Sequence, residues 1–377
     1  MSRAILPPNM PCNAVAVRPP AASSLLVQFD QFLGEASCRV ETHPWLVVIA
    51  MHEVFRNLYP ADPFIPFNAG ESHADRISRV IERSTQWLND AGIMPSYFAV
   101  PGVDPKQISP RSALVSARSA ESNTQQLYGS LWDQFDTSVY IEEAVRILRE
   151  RFAECGFLDS IETGSTVLDA GCGSGRYSMA LASLCSAKVI GLDLGTTSLE
   201  NARRIAADAS ITNLEFRTGN VLDLPFADGS IDCIFSNGVL HHTGDTARGL
   251  HEMHRVLRPG GRAFLYLYGA GGVFWHARRA ARKVMQRIPR EYTCDVLRMI
   301  GMPANRFIFV DTWYVPIEEH ISRDALESLL SATGFSHCEK MVSRRATDLD
   351  SAEIMDDPAF AAIWGDGEHR YVLRKSA

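Results

Sequence analysis

Apolar residues recur at helical spacing through "HPWLVVIAMHEVFRNLY" (43–59), and Pro44 suits the first turn of that helix. A second amphipathic stretch, 72–92, opens with Ser72 as N-cap and Asp75 three residues on. It stops at Gly92. Between the two, "PADPFIPF" holds three prolines within seven residues and is incompatible with a helix. The first 24 residues, interrupted by prolines and lacking a long apolar core, read as a loose arm rather than a signal peptide. Residues 95–125, rich in Ser, Pro and Gln, read as a linker.

The texture changes near residue 140. A helix at 140–155 leads into the strand 165–170, followed by helix 176–185, strand 188–194 and helix 197–208. Strands 214–220 and 231–237, helix 246–257 and strand 262–268 come next. Short β-branched strands separated by helices of about ten residues imply a parallel, doubly wound α/β sheet. Near the end, "HISRDALESLLSATGF" predicts a helix capped by Ser322 and stopped by Gly334. "HCEKMVS" and "HRYVLRK" then predict two last strands joined by a long acidic loop.

Composition adds exclusions. A formal net charge of −7 disfavours nucleic acid as the main partner, because phosphate backbones reward clustered Lys and Arg. No apolar run reaches the roughly 18–20 residues of a membrane-spanning helix. The eight cysteines form no CxxC pair, which fits neither a disulfide framework nor a zinc cluster and points to a reducing, cytoplasmic setting.

Candidate chemistry begins at "VLDAGCGSG" (167–175). Glycines between a buried strand and a helix let a ligand's polar end approach backbone N–H groups. The spacing is G-x-G-x-G rather than the G-x-G-x-x-G of dinucleotide folds, and Asp169, two residues before the first glycine, suits a cationic ammonium better than a pyrophosphate. Asp193, closing "VIGLD" about one βαβ step later, can accept both hydroxyls of a ribose. Asn220, in "TGNVLDLPF", can pair with an adenine edge, with Val221 against the ring.

Together with "SNGVLHHT" (236–243) and "HEMHRVLRPGGRAFLYL", these segments resemble the class I S-adenosylmethionine-dependent methyltransferases with a type 11/25-like core. The resemblance covers roughly 126–268, extends more loosely to 377, and does not reach residues 1–120. It implies a mostly parallel, seven-stranded Rossmann-like sheet with an antiparallel last strand, plus an N-terminal mainly helical region. It also implies S-adenosylmethionine as methyl donor and S-adenosylhomocysteine as product. The methionine end would lie on Asp169, Gly171 and Gly173, within a loop that includes Cys172 and Gly175. Cys172 reads as a small residue tolerated there, not a nucleophile. Asp193 would bind the ribose, Leu194 would lie beside the adenine, Asn220 and Val221 would contact it, and Ser236 and Asn237 would line the floor. Many relatives carry Asp where this chain has Asn220, whose amide still offers an acceptor.

Transfer from a sulfonium needs mainly proximity and alignment, with a general base optional. His242 and then His241 are the catalytic candidates. No metal is expected; were one bound, His241, His242, His276 and His320 would be its ligands. Residues 269–320 form an insertion expected to act as a substrate lid, with Trp275, Arg278, Trp313 and Tyr314 as its contacts. Its basic stretch 278–290 reads as a grip on an anionic substrate, as a peripheral membrane contact, or as a solvated helix face. Tyr128 and Trp132 are lid candidates before the first core helix. Residues 1–125 are expected to be a cap or homodimerisation region and 126–377 the catalytic domain. The expected acceptor is a small molecule in natural-product or lipid-related metabolism. A metal-assisted C-methylation of a 2-oxo acid and an RNA or protein methylation are the alternatives.

Overall fold

The β-branched runs become one seven-stranded sheet in the computed structural model, which describes residues 20–59, 71–90, 137–301, 308–345 and 348–377. Its strands are β1 (Thr166–Ala170), β2 (Lys188–Asp193), β3 (Leu214–Thr218), β4 (Ile231–Asn237), β5 (Leu257–Tyr268), β6 (Phe335–Lys340) and β7 (Glu368–Lys375). They are ordered β3-β2-β1-β4-β5-β7-β6, and only β7 runs against its neighbours. The doubly wound expectation holds, antiparallel final strand included. β5 starts five residues before the expected 262, because Leu257 already pairs with Ile231 ahead of a register shift.

Period-two alternation sends side chains to opposite faces, and both faces are apolar because helices cover both. On one face Leu168, Ile190, Ile234 and Leu265 meet α7 (Thr246–Val256) and α11 (Arg323–Thr333). On the other, Val167, Val189, Phe235 and Phe264 meet α4 (Thr137–Phe152) and α5 (Arg176–Leu184), while α6 (Thr196–Asp208) seats Leu199 and Ala202 against Phe216. Phe235 and Phe264 stack at 5.1 Å, with Phe152 edge-on to Phe264 at 4.9 Å. Gly334 stops α11 in the left-handed conformation (φ 103°), and Ser322 accepts from the Ala325 amide, as expected of these caps.

The remaining helices make a second layer. α1 (Pro20–Arg39), α2 (Pro44–Leu58) and α3 (His73–Asn89) come from the N-terminal region, and α8 (Gly272–Met285), α9 (Arg290–Met299) and α10 (Ile308–Tyr314) from the insertion. Together with the short α12 (Ala352–Met355) and α13 (Phe360–Trp364), they bury one continuous apolar cluster. Phe55 lies edge-on to Trp313 at 5.8 Å, and the Trp364 indole donates to the Leu58 carbonyl at 2.9 Å. The insertion therefore covers the apolar faces that the N-terminal helices present.

Three differences from the sequence reading have local causes. Residues 20–24, assigned to a loose arm, form the first turn of α1, with Pro20 at its start, where a missing N–H costs nothing. α3 keeps its Ser72 cap but stops at Asn89, where the Asp90 N–H bonds to the Gln86 carbonyl, ahead of the expected Gly92. The acidic loop before β7 carries α12 and α13, which the helical layer buries through Ile354, Phe360 and Trp364. "PADPFIPF", the linker 95–125, Gly92, Tyr128 and Trp132 lie outside the described residues.

Candidate functional site

Strand order reverses between β1 and β4, so the loops after β1, β2, β4 and β5 gather at the carboxyl edge of the sheet, where open α/β folds place ligands. The first of these loops is held tightly. Gly171, Gly173 and Gly175 have φ of +85°, +54° and +76°. The Gly171 and Cys172 amides both donate to the Leu192 carbonyl, at 2.8 and 3.0 Å. The Asp193 carboxylate accepts the Gly173 N–H on one oxygen and the Gly195 N–H on the other, each at 2.8 Å. One acid thus clamps the loops after β1 and β2 together, with lone pairs left for a ligand.

The glycines serve different ends. A Cβ on Gly171 would come within 2.3 Å of Val239, and one on Gly175 within 2.5 Å of Phe216, so both are demanded by internal packing. A Cβ on Gly173 would meet nothing within 4 Å. Open space above a left-handed glycine is what a ligand-facing position requires.

Asp169 lies beneath the loop, 3% exposed, and accepts from the Ser178 hydroxyl at 2.6 Å. Burial, aided by the nearby Asp193 charge and opposed by the Ser178 bond, pushes its carboxyl up to about 7. The spacing places this acid where a cationic ligand end could reach it, and in the fold it lies directly under the loop, bonded to Ser178. Cys172 is a neutral thiol, raised well above its ordinary value by burial and by both acids.

Beyond β3, the Asn220 side-chain oxygen accepts the Leu222 N–H at 2.8 Å, so the amide already holds its own turn. Val221 is buried among Leu192 and Leu224, and Leu194 is half-buried after β2. At the end of β4, Ser236 is buried with an unbonded hydroxyl, and Asn237 accepts weakly from Arg151 at 3.4 Å.

The turn Leu240–His242 follows. His241 is 1% exposed and stacks on Tyr268 at 3.8 Å, with neither ring nitrogen bonded. Burial first, then the neighbouring His242, hold it neutral, well below its ordinary value. His242, also buried and lowered by burial, donates Nδ1–H to the Ile317 carbonyl at 2.7 Å, which leaves Nε2 as an acceptor.

That contact belongs to a strap, residues 315–321, laid over the edge. The Glu319 N–H donates to the His241 carbonyl (2.8 Å), and the Ile321 N–H to the Tyr268 carbonyl (3.3 Å). Beneath it, Glu318 accepts from Arg278 at 2.8 Å, from Arg282 at 3.3 Å and from His320 at 2.7 Å. Burial alone would raise the Glu318 carboxyl, but the Arg278 charge and these bonds hold it far below the usual range.

Arg278 is thus neither a solvated residue nor an open anion grip. It is 3% exposed, paired with Glu318 and the Tyr59 hydroxyl, and set over the Tyr268 ring at 4.7 Å. Trp313 is buried in the helical layer. The Tyr314 hydroxyl donates to the Met285 and Ile288 carbonyls. Of the expected insertion contacts, Trp275 joins Arg278 at the edge cluster, 5.3 Å from Tyr268 and 4.9 Å from His320. The conditional metal set is not brought together. His276 bonds to Asp30 on the far side of α8, and no three His, Cys, Asp or Glu among the described residues are arranged to hold a metal.

Ser178, Glu318 and Tyr268 were not singled out in the sequence. Ser178 had a faint signal, one helical turn past the glycine loop. "PIEEH" carries no periodicity, so its side chains acquire meaning only when the strap crosses the sheet.

Residues 161–290 match the family model described as a methyltransferase domain. Over 142 residues the chain is 32% identical to the 27-O-demethylrifamycin SV methyltransferase of Amycolatopsis mediterranei, covering 37% of this chain and 50% of that one. It is 40% identical over 102 residues to the demethylmenaquinone methyltransferase of Lactococcus lactis, covering 26% and 40%. It is 33% identical over 135 residues to the chloroplastic tocopherol O-methyltransferase of Arabidopsis thaliana, covering 35% and 39%. The chain thus matches half or less of the length of these relatives. With the glycine loop and the clamping acid inside the matched stretch, residues 161–290 carry a methyltransferase domain.

Proposed function

We propose that the protein transfers a methyl group from S-adenosylmethionine to a small-molecule acceptor at the carboxyl edge between β1 and β4. The observation that carries this reading is the Gly173 rim. It is the one glycine of the loop facing open space, and it stands beside a carboxylate that accepts two backbone N–H groups and keeps further acceptor capacity. These residues fit the donor. Gly171 and Gly173 would receive its amino-acid end, Asp193 its ribose hydroxyls, and Leu194 and Val221 the faces of its adenine. The donor supplies an already activated methyl group. The chain's task is then to align an acceptor, exclude water and take up a proton where the acceptor carries one.

Names of the matched relatives support a small molecule as acceptor: a rifamycin, a demethylmenaquinone and a tocopherol. The buried polar groups under the strap, His241 and the Glu318–His320 pair, are the chain's candidates for meeting it. We read the helical layer as a cap that fixes the strap. No described helix is long and apolar enough to cross a membrane, and the unpaired thiols among the described residues suit a reducing, cytoplasmic setting.

Calorimetry with S-adenosylhomocysteine tests this reading. Binding in the micromolar range is expected, with Asp193→Ala losing it by about tenfold or more through the ribose bonds and the loosened loop. Tight NADH binding with no response to S-adenosylhomocysteine would sink it.

A further inference from the structure

Buried polar groups are almost always hydrogen-bonded, since leaving one unmet is costly. Under the strap, several are unmet within one small neighbourhood. The His241 ring nitrogens, the Trp275 indole N–H and His320 Nδ1 have no partner. The His241 and Trp275 residues are each 1% exposed, and the His320 side chain is 4% exposed. All three surround Tyr268, at ring distances of 3.8, 5.3 and 6.3 Å. Among the described residues no neighbouring side chain satisfies them, although the strap is pinned by backbone bonds to His241 and Tyr268.

The chemistry of the unmet atoms is specific. His320 Nε2 lies 2.7 Å from a Glu318 oxygen, and a carboxylate only accepts, so the ring proton sits on Nε2. In the neutral ring Nδ1 is then a bare lone pair, oriented by a carboxylate as in other acid–histidine pairs. Trp275 offers a donor, and neutral His241 offers one donor and one acceptor. An occupant answering this set carries a hydroxyl to give a proton and an oxygen to accept one. The surrounding rings favour a flat conjugated frame.

We propose that the strap encloses the acceptor's reactive end, and that His320, held by Glu318, takes the proton from a phenolic or enolic hydroxyl placed there. This rests on the methyltransferase reading and narrows its acceptor to an acidic hydroxyl. In the step, the O–H bond breaks, its proton moves to Nδ1, and the oxygen keeps the electron pair. The Nε2 proton stays on the Glu318 bond, so the imidazolium formed is matched by that carboxylate. Glu318 is a positioning residue, since it acts through His320. Other charged or titratable groups facing this pair are Arg278 and Arg282 from α8, His241 and His242 from the turn after β4, Tyr268 from β5 and Tyr59 at the end of α2, with Asp311 from α10 facing His242 and Tyr268.

The test uses the full chain and 4-nitrophenol, whose anion absorbs visible light and whose neutral form does not. It is run with and without S-adenosylhomocysteine, at a pH where the free phenol is mostly neutral. The expected result is a bound anion spectrum in the unaltered protein, reduced about tenfold or more in His320→Gln, which keeps a hydrogen bond for Glu318. Trp275→Phe is expected to keep the anion while binding more weakly. Unchanged S-adenosylhomocysteine affinity in these variants shows that the fold survives. Nitrophenol bound only in its neutral form, or not at all, overturns the proposal. So does an anion signal that persists in His320→Gln, or one lost only in His241→Gln. Failure of the unaltered protein to bind S-adenosylhomocysteine counts against the methyltransferase reading instead, since the nitrophenol spectrum is read separately.

Discussion

Gly171 and Gly173 stand two residues apart and should answer the same substitution in opposite ways. Alanine at 171 drives its Cβ into Val239 and is strained by a φ of +85°. The expected cost is about 2–4 kcal/mol of stability, seen as a lower thermal midpoint. Alanine at 173 meets open space and bears only the left-handed strain, about 1 kcal/mol, yet its methyl occupies the ligand's side of the loop. Its thermal midpoint should move little while S-adenosylhomocysteine binding drops sharply. Equal melting losses for the two would contradict this division of labour. Asp169 adds a pH signature. Its folded-state value, near 7, lies above the ordinary 3.8, so the fold holds this proton more tightly than the unfolded chain does. That contribution is full below about pH 4 and is lost as pH rises through 7. Buried histidines such as His52, lowered to about 3 by burial and Arg56, titrate in the opposite sense, so the informative quantity is a difference between proteins. Relative to Asp169→Asn, the unaltered chain should lose on the order of 4 kcal/mol between pH 4 and 8, measured by denaturant unfolding without ligand.

At the scale of elements, legibility follows the range of the interactions involved. Strands β1, β2 and β4 and their helices could be read almost to the residue, because alternation, caps and glycine stops are local signals. The glycine loop and Asp193 were legible for the same reason. The strap was not, since Glu318 and His320 owe their surroundings to β5 and α8, some forty residues away. Arg278 shows the limit most plainly. On a basic helix it reads as solvated, and only the partners Glu318 and Tyr59 make its burial tolerable. The helical layer likewise forms from segments far apart in sequence, so each face was visible but not its cover. Phe55 is fully buried at that seam, edge-on to Trp313 and to Phe29. Phe55→Ala should cost about 3–5 kcal/mol in denaturant unfolding. It should leave S-adenosylhomocysteine affinity of the folded protein unchanged, because no side chain of the glycine loop touches this seam.

Across the whole molecule, a buried charge network joins the last strand to the rest. Arg370, 3% exposed, pairs with Asp350, with Glu368 at 2.8 Å and with Asp348 at 3.6 Å, and Arg151 reaches Asp348 from α4 at 3.1 Å. Burial raises the Asp350 carboxyl to about 6 even against the Arg370 charge. Arg370→Leu strands these carboxylates without their shared cation and should cost about 3–5 kcal/mol near neutral pH. The loss should shrink as pH falls below 6 and the acids take up protons. A thermal-melt series across pH reads both the loss and its recovery, and a pH-independent loss would assign the residue a packing role alone.

The shared core of the helical layer also has a timetable. α1 to α3 leave the ribosome well before α8, against which the layer packs and which follows some 180 residues later. At ordinary synthesis rates that delay is roughly 10–40 s. For that interval the newborn chain carries apolar helix faces without the α8 that later covers them, while the sheet between is still being made. The segment whose arrival ends this exposure is the same one that continues into the strap over the carboxyl edge. The cover over the N-terminal faces and the strap over the site therefore arrive together, late in the life of the chain, with α12 and α13 closing the core after them.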